Sequence, residues 1–346
     1  MIYEFFALKY LSNLFVTFND LYIIPVIILL EATRIIPTFT ERNKSTKTGR
    51  FLSTFYGVYE WFLMMLFFYL ILMNIISIFT VHTRIIYVVS LGILIIIGAY
   101  AYIHAHKIIV KERILEFDDV NTEYSIIHLS DVHFGSVRHK EIIENIADRI
   151  RHLQDNCDIV IISGDLADGS CIVNEDDFKP LADIKIPVIF TSGNHDYYPG
   201  LENVHKACHN ANIIIVENDV YEFEDLNIYG LSYSFGDIPM PTASELKKVI
   251  KEDKINIVNY HIPNGWDELS AIGFDIQLSG HTHGGQFYPV TFFGKMLYEG
   301  HNMGLFKKTS GRTHYLHVTT GVGSMDMPMR WGTDSEMVIL KIVKTR

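Results

Sequence analysis

Apolar residues dominate the first third of this chain and alternate with polar ones in the rest. Residues 61–81 read WFLMMLFFYLILMNIISIFTV, with no charged side chain and Asn74 the most polar member. About 20 apolar residues are needed to cross the hydrocarbon core of a bilayer, so this run predicts a transmembrane helix. Residues 85–102 are equally free of charge. His82, Thr83 and Arg84 leave room only for a tight turn, and the pair predicts an antiparallel transmembrane hairpin. Residues 11–36 are apolar too, but Asp20, Glu31 and Arg34 interrupt them and Pro25 lies inside. That segment reads either as a further span near 14–35 or as an amphipathic helix lying in the interface. It lacks the basic leader and small-residue cleavage site of a signal peptide.

From Glu112 onward the period changes. Residues 125–130, 158–163, 188–192, 255–260 and 275–279 are short apolar runs of strand length. Residues 141–153 carry Ile142, Ile143, Ile146, Ile150 and Leu153 at helical spacing. Residues 227–231, 315–319 and 336–342 supply further strands, enough for a second sheet. The division expected is an anchor over 1–106 and an α/β domain over 107–346.

The composition, 49% hydrophobic, owes its excess to the anchor. A net charge of −11 argues against nucleic acid as a partner, because a phosphate backbone is held mainly by Lys and Arg. Basic residues gather on one side of the expected spans: Arg34, Arg42, Lys44, Lys47 and Arg50 before the hairpin, and Lys107, Lys111 and Arg113 after it. By the positive-inside rule that side is cytoplasmic. This predicts a multi-pass protein of the cell (inner) membrane whose α/β domain faces the cytoplasm. The three cysteines, Cys157, Cys171 and Cys208, have no C-x-x-C spacing and read as free, packed thiols.

The chemistry lies where the strands end. Asp131-Val132-His133, Gly164-Asp165-Leu166-Ala167-Asp168, Gly193-Asn194-His195-Asp196, His261 and Gly280-His281-Thr282-His283 each follow a strand. Open α/β folds place their sites at such carboxyl edges. Carboxylate oxygens and imidazoles are ligands that first-row divalent metals accept, and the set is large enough for two ions sharing one carboxylate. Such a pair serves in-line displacement at phosphorus.

In this order the motifs D-x-H, G-D-x-x-D, G-N-H-D, a lone His and G-H-x-H resemble those of the calcineurin-like metallophosphoesterase superfamily. The resemblance covers about residue 126 to the end. It implies two mixed β-sheets packed face to face with helices outside. It implies one metal held by Asp131, His133, Asp165 and His283, and another by Asp165, Asn194, His261 and His281, with Asp165 bridging. Two divalent ions are implied, Mn first and Fe or Zn as alternatives, with a metal-bridging hydroxide as nucleophile. By the same resemblance His195 contacts or protonates the phosphoester, Asp168 orients His195, and Asn194 and His195 stabilise the phosphoryl group. Gly169-Ser170 after the second acid, and Asp196 in the G-N-H-D run, depart from the Ser/Thr protein phosphatases. The Ser279–Gln286 run and apolar N-terminus are similar instead to a membrane-associated bacterial phosphodiesterase branch that includes enzymes acting on UDP-diacylglucosamine. The expected substrate is therefore a phosphodiester or pyrophosphate, lipid-linked ones included, with a phosphomonoester as the alternative. A metal-keeping scaffold without activity is a further reading, against which Asp168 and His195 count. Phe287, Tyr288, Pro289, Phe292 and Phe293 read either as the border of an acyl-chain groove or as strand and loop core. Arg312 and Arg330 are candidate phosphate binders or salt-bridge partners.

Overall fold

The computed structural model describes residues 2–15, 19–79, 84–118, 120–234 and 239–345. Four helices come first: α1 (Ile2–Phe15), α2 (Ile23–Thr40), α3 (Lys47–Phe79) and α4 (Arg84–Ala105). Three helical stretches, Asp20–Thr40, Lys47–Phe79 and Ile85–Ala105, are long and apolar enough to cross a membrane. Where a span or an interfacial helix was expected near 14–35, the helix opens with a 3-10 turn at Asp20–Tyr22, capped by the Asn19 side chain on the Leu21 amide, and runs on to Thr40. Asn19 is a strong N-cap residue, which moves the boundary past the apolar Leu14. His82 and Thr83, and with them the expected tight turn, lie outside the described residues.

The second difference is length. At 1.5 Å per residue, the 33 residues of α3 reach about 50 Å, well beyond the ~30 Å hydrocarbon core. Its first turns, with Lys47 and Arg50, were expected in a loop and instead begin the helix that packs on the α/β domain. There Gly57 packs so closely on Asp326 and Pro328 that a Cβ would lie 2.7 Å from the Asp326 carbonyl. The domain also donates hydrogen bonds to the ends of two other helices. The Ile172 amide reaches the Glu41 carbonyl after α2 (3.2 Å), and the Arg330 amide and Arg138 guanidinium reach Ala101 and Ala105 in α4 (3.0 and 2.7 Å). Between them α1 starts near this end, Tyr3 bonding the Leu63 carbonyl at 2.9 Å, and runs away from it to Tyr87.

The rest is a two-sheet sandwich. β1 (Ile108–Phe117), β2 (Tyr124–Leu129), β3 (Ile159–Ser163), β4 (Val188–Thr191) and β5 (Ile214–Ile215) belong to the first sheet. The second holds β6 (Asp219–Phe223), β7 (Leu226–Leu231), β8 (Ile255–Tyr260), β9 (Ile276–Ser279), β10 (Gly304–Ser310) and β11 (Arg312–Val318); β12 (Ser335–Lys344) returns to the first. The orders are β1-β12-β2-β3-β4-β5 and β10-β11-β9-β8-β7-β6. Both sheets are mixed: β2 to β5 run parallel while β12 is antiparallel to β2, and β7, β8, β9 and β11 run parallel with antiparallel edges.

Strand alternation explains the two-sided burial. Ile126, Ile159 and Ile161 face Ile228, Ile257 and Leu278 of the other sheet, while Ile127, Val160 and Ile162 face the helix α5 (His139–Leu153). Tyr229 and Val258 likewise turn outward to meet α7 (Ala243–Val249) and α8 (Trp266–Ile272); α6 (Leu201–Asn210) covers the first sheet. β1 was not expected from the sequence. It pairs with β12 from Ile108↔Ser335 to Phe117↔Lys344 and joins α4 directly to the sheet.

Candidate metal centre

Each candidate ligand lies just past a strand, and the chain bends sharply to deliver it. Asp131, His133, Asp165, His281 and His283 all have positive φ, between 50° and 69°. Such backbone costs of order 1–3 kcal/mol per non-glycine residue and persists only where the surroundings enforce it. Here the loops brace one another: the Asp131 amide donates to the Gly164 carbonyl (3.0 Å), His133 to Asp165 (3.0 Å) and Phe134 to Leu166 (2.9 Å). Gly193 and Gly280 are needed for this closeness. A Cβ on Gly193 would lie 2.3 Å from Asp165 Oδ1, and one on Gly280 2.0 Å from Ser130 Oγ.

The side chains converge into two groups, Asp131 with His133 and His283, and Asp165 with His261 and His281. Within each, one ligand atom per residue lies within 4.8 Å of the others. Asp165 Oδ2 is 3.1 Å from His261 Nε2 in its own group and 3.9 Å from His133 Nε2 in the other. One carboxylate oxygen therefore lies between both clusters. Asp131 Oδ1 is 3.3 Å from His283 Nε2, and the Nε2 atoms of His133 and His283 approach to 3.0 Å. Asn194 Oδ1 and His133 Nδ1 are buried and accept or donate no hydrogen bond to the described residues.

The His261 tautomer and the carboxylate charges suit cation binding. His261 Nδ1 sits 2.7 Å from the Ser163 carbonyl, so that nitrogen carries a proton and Nε2 points at Asp165 and His281; a second partner of this kind fixes a ligand ring. Burial works against ionising Asp131, yet the His283 and His133 imidazoles hold its carboxyl well below the usual range. Burial opposes Asp165 too, and the His261 ring beside it brings it down to about 2. Two ionised carboxylates, four imidazoles and an orphaned amide oxygen form a donor set that fits two first-row divalent ions.

His195 stands at the half-exposed mouth, its ring 4.9 Å from that of His133 and its amide 2.8 Å from Asp165 Oδ1. The expected role of Asp168 changes here. Its carboxylate does not orient His195: it accepts from the Ser170 amide and hydroxyl at 2.7 and 2.6 Å, closing its own turn. The Asp168 backbone carbonyl meets His195 Nδ1 instead, at 3.3 Å.

Arg330 is corrected as well. Completely buried, it is not placed to bind a substrate phosphate; it donates to the Thr320 and Gly323 carbonyls (2.6 and 2.7 Å) and lies 3.4 Å behind His283 Nδ1. Arg312 pairs with Asp275 at 3.2 Å. Asp196 carries a role the motif alone did not reveal. Its carboxylate accepts from the amides of Asp165 (2.8 Å), Gly193 (2.8 Å) and Ala167 (2.9 Å), tying two ligand loops together.

Comparisons with known proteins agree with this geometry. The family model for calcineurin-like phosphoesterases matches residues 124–285. An uncharacterized metallophosphoesterase of Helicobacter pylori is 29% identical over 240 residues, which are 68% of this chain and 64% of the relative. The chain thus spans less than two thirds of that relative. One from Aquifex aeolicus is 28% identical over 72% of this chain and 97% of its own length. A zebrafish (Danio rerio) transmembrane protein with metallophosphoesterase domain is 29% identical over 62% of this chain and 53% of its own. Among solved structures, the NAD nucleotidase of Haemophilus influenzae aligns at 15% identity and a TM-score of 0.39, covering 58% of this chain and 45% of that one; a likeness that distant bears no weight here. Motif order, paired sheets and converging ligands together establish that this chain carries a calcineurin-like metallophosphoesterase domain behind its apolar N-terminal helices.

Proposed function

We propose that this protein is a two-metal phosphohydrolase, held at the membrane by its N-terminal helices, that cleaves a phosphodiester or pyrophosphate. The observation that carries the reading is Asp165 Oδ2 lying between two three-residue ligand clusters. Bound divalent ions would supply Lewis acidity and a water acidic enough to attack phosphorus at neutral pH. Asp131, His133, Asp165 and His283 would hold one ion, Asp165, Asn194, His261 and His281 the other, with Mn the favoured metal.

The protein's own part is positioning and proton handling. The Asp168 carbonyl at His195 Nδ1 keeps a proton on that nitrogen in both charge states of the ring. The proton that comes and goes therefore sits on Nε2. A charged ring there can donate to a phosphoryl oxygen as charge develops, or to the leaving group. The braced loops hold the donors without reorganisation.

The basic residues of α2, of early α3 and of β1 favour a cytoplasmic catalytic domain by the positive-inside rule. The substrate class extends to lipid-linked diesters and pyrophosphates such as UDP-diacylglucosamine, since the helices keep the site near a bilayer. The test is hydrolysis of an aryl phosphodiester and the matching monoester by Mn-loaded full-length protein in detergent, with Asn194→Ala as blank. Diester turnover well above monoester turnover, lost in the variant, is expected. Faster monoester turnover would make it a phosphomonoesterase, and turnover undiminished in Asn194→Ala would overturn the site.

A further inference from the structure

The helix directly after the metal ligands, α9 (Val290–Leu297), presents its apolar face outward. Phe292 is 66% exposed, Phe293 56%, Met296 82% and Leu297 73%, whereas Thr291 and Gly294 point inward. Among the described residues beyond 106, half of the exposed large apolar side chains lie on these two turns. Of the two readings of this stretch, Phe287 is core, while the residues after Pro289 form a short helix whose apolar side chains turn outward.

The foot of this helix rests on the anchor. Phe287 packs edge-on against Trp61 of α3, ring centroids 6.4 Å apart, and Val290 joins the same cluster as Trp61, Met65 and Leu66. On its other side the Trp61 ring lies against Gly98 of α4, close enough that a Cβ there would be 2.9 Å away. Gly98 falls within the apolar stretch Ile85–Ala105, at about 10 Å along the axis from its end at 1.5 Å per residue. On either side of this level α4 exposes Ile96 and Ile103, both 69%. The foot of α9 therefore sits beside the apolar helices of the anchor, at a depth that interfacial helices reach.

We propose that α9 lies in the membrane interface, with Phe292, Phe293, Met296 and Leu297 among the acyl chains of the leaflet on the catalytic side. The occupant of this face is bilayer lipid. The exposed Lys295 extends its ammonium to the phosphate level, as long basic side chains do at such a boundary. At the far end of the helix, Tyr298 stacks edge-on against His281, centroids 5.9 Å apart. The lipid surface and the ligand loop are thus joined by one rigid element. The membrane contact stands on its own, whereas delivery of a lipid-borne phosphoester to the site rests on the proposed hydrolase reading.

The three native cysteines are buried, so a single introduced thiol can be labelled in the full chain. Met296→Cys carries an environment-sensitive fluorophore in proteoliposomes, with Thr309→Cys on the exposed end of β10 as the water-facing control. The expected result is loss of the Met296→Cys signal to lipids bearing a doxyl group high on the acyl chain, with aqueous iodide leaving it intact, and the reverse for Thr309→Cys. Iodide quenching equal to that of Thr309→Cys would overturn the proposal. Protection from both quenchers would overturn it too, by pointing to a second copy of the chain as the cover. Neither readout depends on hydrolysis, so failure here and failure of the hydrolase reading are separate results.

Discussion

Replacing Asp196 by Asn removes one oxygen acceptor and leaves the shape of the side chain nearly unchanged. Asp196 Oδ2 accepts two amides, from Asp165 and Gly193, and Oδ1 accepts a third from Ala167, all at 2.8–2.9 Å in a fully buried pocket. Asn has one accepting oxygen and a donating NH2 group. Turned toward Asp165 and Gly193, it satisfies two amides and sets its NH2 against that of Ala167. The opposite rotamer abandons two. A buried donor left unmet costs about 1–3 kcal/mol, so Asp196→Asn should cost about 1–3 kcal/mol. Asp196→Ala abandons all three and adds a cavity, about 1–2 kcal/mol beyond that. The assay is chemical denaturation in detergent followed by near-ultraviolet circular dichroism, with the metal retained after desalting measured on the same samples. Both variants should lose metal as well as stability, because the Asp165 and Asn194 loops are the two that Asp196 joins. If Asp196→Asn kept wild-type stability and metal content, the claim that this carboxylate organises the site would be refuted.

The remaining predictions concern other parts of the molecule. Burial first, with Arg113 and Lys111 adding to it, lowers His317 to about 4. A histidine kept neutral in the fold contributes stability present above its unfolded value near 6.5 and lost as pH falls through 4, worth about 3 kcal/mol at 1.36 kcal/mol per unit. His317→Gln should lose that much less stability between pH 7 and 4 in denaturant titrations, and an identical pH slope would count against it. Arg330→Met leaves the Thr320 and Gly323 carbonyls unpaired behind His283 and should lower stability by about 2–4 kcal/mol; unchanged denaturation would contradict the buried scaffold role. Converting Phe292 and Phe293 to Ser should reduce turnover of a lipid-borne diester in vesicles while sparing a soluble aryl diester, and equal loss on both would separate α9 from substrate delivery.

The candidate ligands were legible because metal chemistry restricts residue type, and strand period places Asp131, Asp165, Asn194, His261 and His281 at strand ends. The two sheets followed from Ile-rich runs such as residues 159–162, buried on both faces. What stayed hidden depends on three-dimensional neighbours. The Asp168 carboxylate was turned aside by Ser170, a local competitor two residues on. Arg330 looked like a surface cation because no one-dimensional pattern announces the Thr320, Gly321 and Gly323 carbonyls and the Thr333 hydroxyl meeting around one guanidinium. β1 carries Lys111, Glu112 and Arg113 in its middle and reads as linker, yet its pairing with β12 and the Lys111 contacts with Asp334 and Glu336 (2.6 and 2.7 Å) make it a strand. The amphipathic character of α9 was blurred by Phe287 and Tyr288, which precede the helix and face the protein.

The shared position of Asp165 is tested most directly by metal counting combined with electron paramagnetic resonance on Mn-loaded full-length protein. The account predicts two Mn per chain, one for each cluster, with the spectrum of a magnetically coupled pair that Asp165→Ala converts to isolated ions or abolishes. A single ion per chain, or a coupled spectrum that survives Asp165→Ala, would contradict it.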